Sequence, residues 1–335
     1  MWLTRRSLGG AQRSCQEERD RLSLHARPAQ GLLRRVSKVY AGQKGQAPEE
    51  QMIMEIRKKG GENVFTCPVC GNLLQREEKA YICPKGHNYD LAKEGYVYLL
   101  PPNKKHSKDP GDNKQMVAAR RAFLETGLYQ PFSDELDRLA LEYLGKNGSP
   151  VVLDAGCGEG YYTGRLAQAL GERARVFGFD ISKCAVRAAA KRYREIAFAV
   201  GSSFGIPFAD AAADLVVNVF APIVPEELAR VVKPGGHLVL AVPGERHLYG
   251  LKEILYEHPY ENPYKETEYP GFTFLQRTAV AREITITDPQ TMLNLFAMTP
   301  YYWKTGVEGG EHLRQTRRLE THIEFHFLVY QRNLT

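Results

Sequence analysis

Four residues with metal-binding side chains lie close together near the start of the ordered-looking sequence. Cys67, Cys70, Cys83 and His87 are spaced C-x2-C-x12-C-x3-H. Two cysteines two residues apart can grip one ion from a tight turn, and a second pair arriving on a returning strand completes a tetrahedron. In "CPVCG" Pro68 restricts φ and Gly71 permits the turn such knuckles need, and "CPKGH" repeats the device. A Cys3His set with no spare ligand predicts a closed structural zinc site, one that folds a segment too small for a core of its own.

A second constellation follows at "VVLDAGCGEGYY", residues 151–162. An apolar strand runs into Gly156, Gly158 and Gly160, with Asp154 at the strand end and Asp180 ending the next apolar run. A third glycine at position 161 would make the dinucleotide fingerprint, but Tyr161 stands there. An acid at the second strand end can accept both ribose hydroxyls of an adenosine. Asp180 alone does not separate a nicotinamide cofactor from another adenosine-bearing one, and the alternative reading of Asp154 is a turn or helix-capping residue.

The elements that must hold these groups alternate. "VVLDAGCG", "RVFGFDIS", "IAFAVGSS", "ADLVVNVFAP" and "GGHLVLAVP" read as strands, with "YYTGRLAQAL", "KCAVRAAAKRY" and "PEELARVV" as helices between them. That order predicts an α/β fold, a mostly parallel sheet covered on both faces, with ligands at the carboxyl ends of its strands. "QMVAARRAFLETGLYQPFSDELDRLALEYL" has helical spacing broken at Gly127 to Pro131, and "THIEFHFLVYQ" is a β-rich segment that could close the sheet. The expected division is a basic extension over 1–62, a zinc module over 63–104, linker and helices over 105–149, and the sheet domain over 150–335.

Composition narrows the class. With 335 residues, 43% hydrophobic and 25% charged, the chain can bury a sizeable core, and no apolar run is long enough to suggest a membrane span. Residues 1–50 hold ten Lys and Arg against five Asp and Glu, so most of the net charge of +6 sits there and the rest is nearly neutral. Any nucleic-acid footprint on the folded part must therefore be a local patch. The extension has no apolar region of a secretory signal, and its acids Glu17, Glu18 and Asp20 argue against a transit peptide, which leaves a tail or upstream sequence with Met52 or Met54 as the working start. Cys15, Cys157 and Cys184 form no disulfide framework, and reduced thiols beside zinc point to the cytoplasm.

"LDAGCGEG", "SSFGIPFADAAADLVV" and "VVKPGGHLVL" together resemble the Rossmann-like class I S-adenosylmethionine-dependent methyltransferases. Over roughly residues 65 to 333 the order of the zinc clamp, "DLAKEGYVYLLP", "SKDPGDNKQMVAARRAFLETGLYQP", "LDAGCGEGYYT", "ELARVVKPGG" and "PGERHL" is similar to the 23S ribosomal RNA guanine-N1-methyltransferases, including the branch associated with macrolide resistance. The resemblance implies S-adenosylmethionine and structural Zn2+ as cofactors, a 23S RNA hairpin as substrate, and a homodimer. It matches Cys67, Cys70, Cys83 and His87 to the zinc ligands of an RNA-recognition module. Tyr129, Tyr162 and Thr163 match cofactor-site positions, as does the Arg246–His247 pair, of which either could make the contact. Packing alternatives stand beside these: an interdomain aromatic for Tyr129 and a capping histidine for His247.

The chemistry implied is direct methyl transfer, in which alignment and a dry pocket do most of the work and a proton leaves guanine N1. The sequence assigns no residue to accept it. "NVFAP", residues 218–222, stands where substrate-side residues of such folds sit and is not the Asn-Pro-Pro-aromatic motif of exocyclic-amine methyltransferases; Asn218 reads as a strand-end structural residue. "NKKHSKDPGDNK" and Arg120–Arg121 offer positive charge for phosphates, or a solvated linker, and Tyr96 and Tyr98 are read as packing the zinc module. The competing readings are a methyltransferase of small molecules or proteins with zinc serving folding alone, and a non-catalytic adaptor.

Overall fold

The computed structural model describes residues 63–101, 110–145, 148–263 and 267–334. The basic extension, with Cys15, and the Lys-rich "NKKHSKD" stretch lie outside the described residues.

The zinc segment forms three short antiparallel strands, β1 (Gln75–Arg76), β2 (Ala80–Ile82) and β3 (Asn88–Asp90), in which Gln75 pairs with Ile82 and Ala80 with Asp90. The next strand, β4 (Val97–Tyr98), leaves this small sheet and runs parallel to β7 (Ala197–Val200), Val97 opposite Ala199. The zinc segment is thus built into the edge of the larger sheet.

Helices α1 (Lys114–Leu124) and α2 (Gln130–Tyr143) follow, separated where the sequence carries Gly127 and Pro131. Asn113 caps α1 by accepting from the Met116 amide at 3.0 Å, and Pro131 sits in the first turn of α2, where no amide is needed. The alternation then runs β5 (Val151–Ala155), α3 (Tyr161–Leu170), β6 (Arg175–Asp180), α4 (Lys183–Arg192), β7, β8 (Ala213–Val219), α5 (Pro225–Val231) and β9 (Val232–Pro243). Among the described residues the large sheet has the order β10-β11-β9-β8-β5-β6-β7-β4. Strands β9, β8, β5, β6, β7 and β4 are parallel, and β11 (Leu319–Arg332) adds antiparallel to β9, with β10 (Phe272–Ile286) outside it. Helix α6 (Tyr249–Leu255) follows β9, and α7 (Pro289–Ala297), α8 (Tyr301–Lys304) and α9 (Val307–Gln315) lie between β10 and β11.

All five residues of β5 are buried, as expected of a central parallel strand covered on both faces. One face packs Phe123, Phe132, Leu136 and Leu166 against Phe325 and Phe327. The other packs Val151, Leu153, Phe179 and Phe208 against Val64, Phe65, Leu74 and Tyr81 of the zinc segment. Phe65 is the joint: its ring meets Tyr81, Phe177 and Phe208 edge-on at 5.4, 5.9 and 5.2 Å. Tyr96 and Tyr98, expected to pack the zinc module, pack instead against α4 and β7 of the sheet domain. No described helix is long and apolar enough to cross a membrane.

Phe65 is 1% exposed, so Phe65→Ala removes a buried ring from the junction. The expected cost is about 3–5 kcal/mol of unfolding free energy, read by chemical denaturation of the zinc-loaded protein. A loss under about 1 kcal/mol would mean that the zinc segment is not packed on the sheet as described.

Candidate functional site

The four thiol and imidazole ligands converge. Their donor atoms all lie within 4.8 Å of one another. Cys70 Sγ is 3.3 Å from Cys83 Sγ and 3.7 Å from His87 Nδ1, which is 3.4 Å from Cys67 Sγ. A tetrahedron with Zn–S bonds of about 2.3 Å has edges of roughly 3.7 Å, so the set fits zinc without rearrangement. Two turns supply it: Gly71 N donates to Cys67 O and Gly86 N to Cys83 O, both at 2.8 Å. Gly71 carries φ +73°, a conformation that side chains rarely adopt. Burial works against a Cys83 thiolate, but the Lys85 amide, His87 and the neighbouring thiols outweigh it and bring its pKa down to about 6. Tyr89 Oη lies 3.0 Å from Cys67 Sγ, a hydrogen bond that steadies the cluster from outside.

The glycine loop after β5 forms the second site. Gly156 and Cys157 amides both donate to Phe179 O at 2.9 Å. Gly156 has φ +91°, and a Cβ on it would collide with Ala221, so the loop after β8 lies directly on the glycine loop. Asp180 holds the same loop from β6: its Oδ2 accepts from Gly158 N at 3.0 Å and its Oδ1 from Ser182 N at 2.7 Å. Each oxygen keeps a second lone pair, so the acid can still accept from a hydroxyl.

Asp154 is 1% exposed, and its Oδ2 accepts from Thr163 Oγ1 at 2.6 Å. Its Oδ1 is buried without a partner. Burial raises its pKa to about 7, opposed by the Thr163 hydrogen bond and assisted by the nearby charges of Asp180 and Glu159. An orphaned carboxylate oxygen beside a glycine loop suits a cationic ligand group such as an ammonium. Thr163 therefore orients Asp154, a role its position opening α3 did not reveal. Tyr162 packs beside Tyr161, ring centroids 5.1 Å apart, against the core under α3. Glu159, not singled out from the sequence, is 3% exposed, and burial raises it to about 7 against the pull of Arg120, Arg192 and Arg121. The only trace it left was its place inside the glycine loop.

Tyr129 and His247 meet beside Phe220 of the loop after β8. Tyr129 is buried between α1 and α2, and its Oη is 3.4 Å from His247 Nε2. The Glu324 amide donates to His247 Nδ1 at 3.2 Å, which leaves Nε2 as the protonated nitrogen, facing Tyr129. Burial drives the His247 pKa down to about 3, so the ring is neutral. Arg246, by contrast, is exposed, its guanidinium 4.9 Å from the Tyr249 ring. Of the pair, His247 is the one that faces inward. Asn218 is buried and donates from Nδ2 to Pro222 O at 3.4 Å, the structural role read for it. Arg120 is engaged by Asp112 and Arg121 by Glu125, so both basic side chains have internal partners.

Two outcomes follow. Stripping zinc with a chelator, or Cys83→Ser, should abolish stoichiometric zinc and lower the melting temperature; unchanged melting with zinc absent would contradict the site. Native His247 resists protonation while the unfolded chain takes up a proton below about pH 6.5, so stability from this residue is present above that pH and is lost as pH falls towards 3. The slope is at most about 1.4 kcal/mol per pH unit, and His247→Gln should flatten it in denaturation curves taken between pH 6.5 and 4; an unchanged slope would mean that the ring is not held neutral.

Comparison with known proteins matches both segments. Residues 65–108 match the zinc-ribbon family described as RlmA, N-terminal, and residues 152–236 match a methyltransferase domain. The 23S rRNA (guanine(748)-N(1))-methyltransferase of Streptomyces fradiae is 36% identical over 199 residues, covering 59% of this chain and 70% of that protein. A 23S rRNA (guanine-N(1)-)-methyltransferase relative from Micromonospora griseorubida is 37% identical over 206 residues, 56% of this chain and 68% of its own. One from Bacillus subtilis is 26% identical over 275 residues, 80% of this chain and 96% of its own. With a Cys3His ribbon built into the edge of a methyltransferase sheet, the chain belongs to the 23S rRNA (guanine-N1)-methyltransferase family.

Proposed function

We propose that this protein transfers the methyl group of S-adenosylmethionine to N1 of a guanine in 23S ribosomal RNA, with the acceptor in a hairpin loop. The observation that carries the reading is the joint between the two sites: β4, which leaves the zinc segment, pairs directly with β7 of the cofactor-binding sheet. The zinc ligands would be Cys67, Cys70, Cys83 and His87, and zinc would serve structure, since all four positions are taken by protein. The zinc segment, residues 63–104, would then be the RNA-recognition module. A loop guanine is the cheaper target, because its base need not be pulled from a duplex before N1 can be reached. The cytoplasm is the compartment that suits ribosomal RNA and zinc-bound thiolates.

S-adenosylmethionine supplies a methyl made electrophilic by its sulfonium. This chain's residues would hold it as follows. Asp180 accepts from the ribose hydroxyls. Gly156 and Gly158 let the backbone approach closely. Asp154, aligned by Thr163, offers its buried oxygen to the amino-acid ammonium. Tyr129, Tyr162 and the inward-facing His247 close the methionine end against water. His247 does not take the guanine N1 proton: its Nδ1 lone pair holds the Glu324 amide and its Nε2 proton points at Tyr129. Its role is to orient the Tyr129 hydroxyl. Arg246, exposed beside Tyr249, is the better placed of the pair to meet phosphate.

Two measurements test this. Purified protein with labelled S-adenosylmethionine and unmodified 23S RNA should yield one 1-methylguanosine, located by mass mapping; no label in RNA while the cofactor binds would send the search to small-molecule and protein acceptors. In calorimetry, cofactor affinity should tighten as pH rises through about 7, where Asp154 ionises. Asp154→Asn should weaken binding by about tenfold or more, the worth of one charge-assisted hydrogen bond, and lose the pH dependence. Equal affinity in wild type and variant would remove Asp154 from the cofactor site.

A further inference from the structure

Three described residues other than glycine adopt positive φ: Ala211, Phe220 and Leu248. Two of them border His247, Leu248 in sequence and Phe220 in space, with the Phe220 and His247 ring centroids 5.7 Å apart. A bulky residue at φ +54° is strained, and such strain persists only where the surroundings enforce it. They do so here. Phe220 N donates to Ala241 O at 3.1 Å, Asn218 anchors the far side of the turn through Pro222 O, and Ala221 rests against Gly156. The loop after β8 is clamped at three points, and its conformation turns the Phe220 ring over the end of the sheet.

The ring is seated on Phe325, centroid distance 4.8 Å, and on His247, both buried, yet it remains 45% exposed. Packing alone does not account for this combination. A residue whose only task was to fill the core would be covered and would not need a left-handed backbone. Its neighbour Ala221 touches the glycine loop, so the ring stands one residue from the segment that would hold the cofactor. The strand end, the cofactor loop and a rigidly backed aromatic face thus meet at one place.

We infer that Phe220 is the stacking platform for the acceptor guanine: one face of the base lies on the exposed part of the ring, which replaces the stacking lost when the nucleotide leaves its loop and sets N1 towards the methyl group. This rests on the function proposed above and adds the residue that receives the base. Phenylalanine has no hydrogen-bonding group, so it supplies orientation and affinity for a purine face without selecting guanine over adenine.

The test uses the full-length, zinc-loaded protein as wild type, Phe220→Leu and Phe220→Trp. The RNA probes are a synthetic 23S hairpin containing the unmethylated acceptor guanine and the same hairpin with an abasic site there. Removing one aromatic–base stack should weaken binding of the intact hairpin by about tenfold to a hundredfold. Phe220→Leu should show that loss, and Phe220→Trp should stay near wild type. The abasic hairpin should bind wild type and Phe220→Leu equally, and S-adenosylmethionine affinity should be the same in all three proteins. The inference is overturned if Phe220→Leu methylates with wild-type KM and kcat, if its loss is the same on intact and abasic RNA, or if it loses cofactor binding. Failure of the wild type to methylate 23S RNA at all would take down the proposed function and this inference together; loss of the Phe220 effect in an active enzyme removes only the inference.

Discussion

Asp180 grips the glycine loop by accepting from Gly158 N at 3.0 Å while its other oxygen accepts from Ser182 N at 2.7 Å, and Gly156 lets the loop after β8 approach until Ala221 touches it. This close approach of three strand ends is the constraint on which the rest depends. Under the function proposed above, it gathers the backbone that would serve a ribose, a methionine tail and an acceptor. A Cβ at position 156 would force the two loops apart, and with them Asp154 from Phe220. The surrounding aromatic cluster of Tyr129, Phe132, Phe325 and His247 backs this arrangement with edge-on and stacked contacts from 3.9 to 6.2 Å. A neutral, tautomerically fixed His247 fits such a wall, since a charged ring would pay heavily for burial.

The zinc segment solves a different problem. Its strands are two or three residues long, too short to build an independent core. Two supports replace one: a Cys3His cluster that ties the two turns together, and Phe65, which plugs the segment into the sheet beside Phe177 and Phe208. Because β4 pairs with β7, the zinc segment is joined directly to the sheet that carries the glycine loop. Under the function proposed above, a segment fixed in this way would present RNA to the site in one orientation, the kind of positioning that lowers the barrier of a methyl transfer.

Much of this was legible in the residues. The metal spacing identified all four clustered side chains, and the alternation of apolar runs marked β5 to β9 and their helices. Strand β10 escaped notice although Phe272–Ile286 alternates exposed and covered positions; its Arg, Thr and Gln residues masked the period that a half-covered edge strand shows. Strand β4 has two residues, and only its partner β7 makes it a strand. Which of Arg246 and His247 faces inward depends on the turn after β9, held by the Glu324 amide from β11, 77 residues away. Phe220 lay in "NVFAP", where substrate-side residues of such folds sit, but its positive-φ backbone could not be read there: the turn is held by Phe220 to Ala241, Asn218 to Pro222 and Ala221 against Gly156, contacts that form only once the chain is folded.

The most direct measurement of the central claim is reverse transcription across 23S RNA from bacteria lacking their own guanine-N1 methylation and expressing this chain. A methyl on N1 occupies the Watson–Crick edge and blocks pairing, so the account predicts one new stop next to a single loop guanine, absent when Asp154→Asn is expressed in its place. An unmodified transcript profile from cells that contain folded, zinc-loaded, cofactor-binding protein would contradict it.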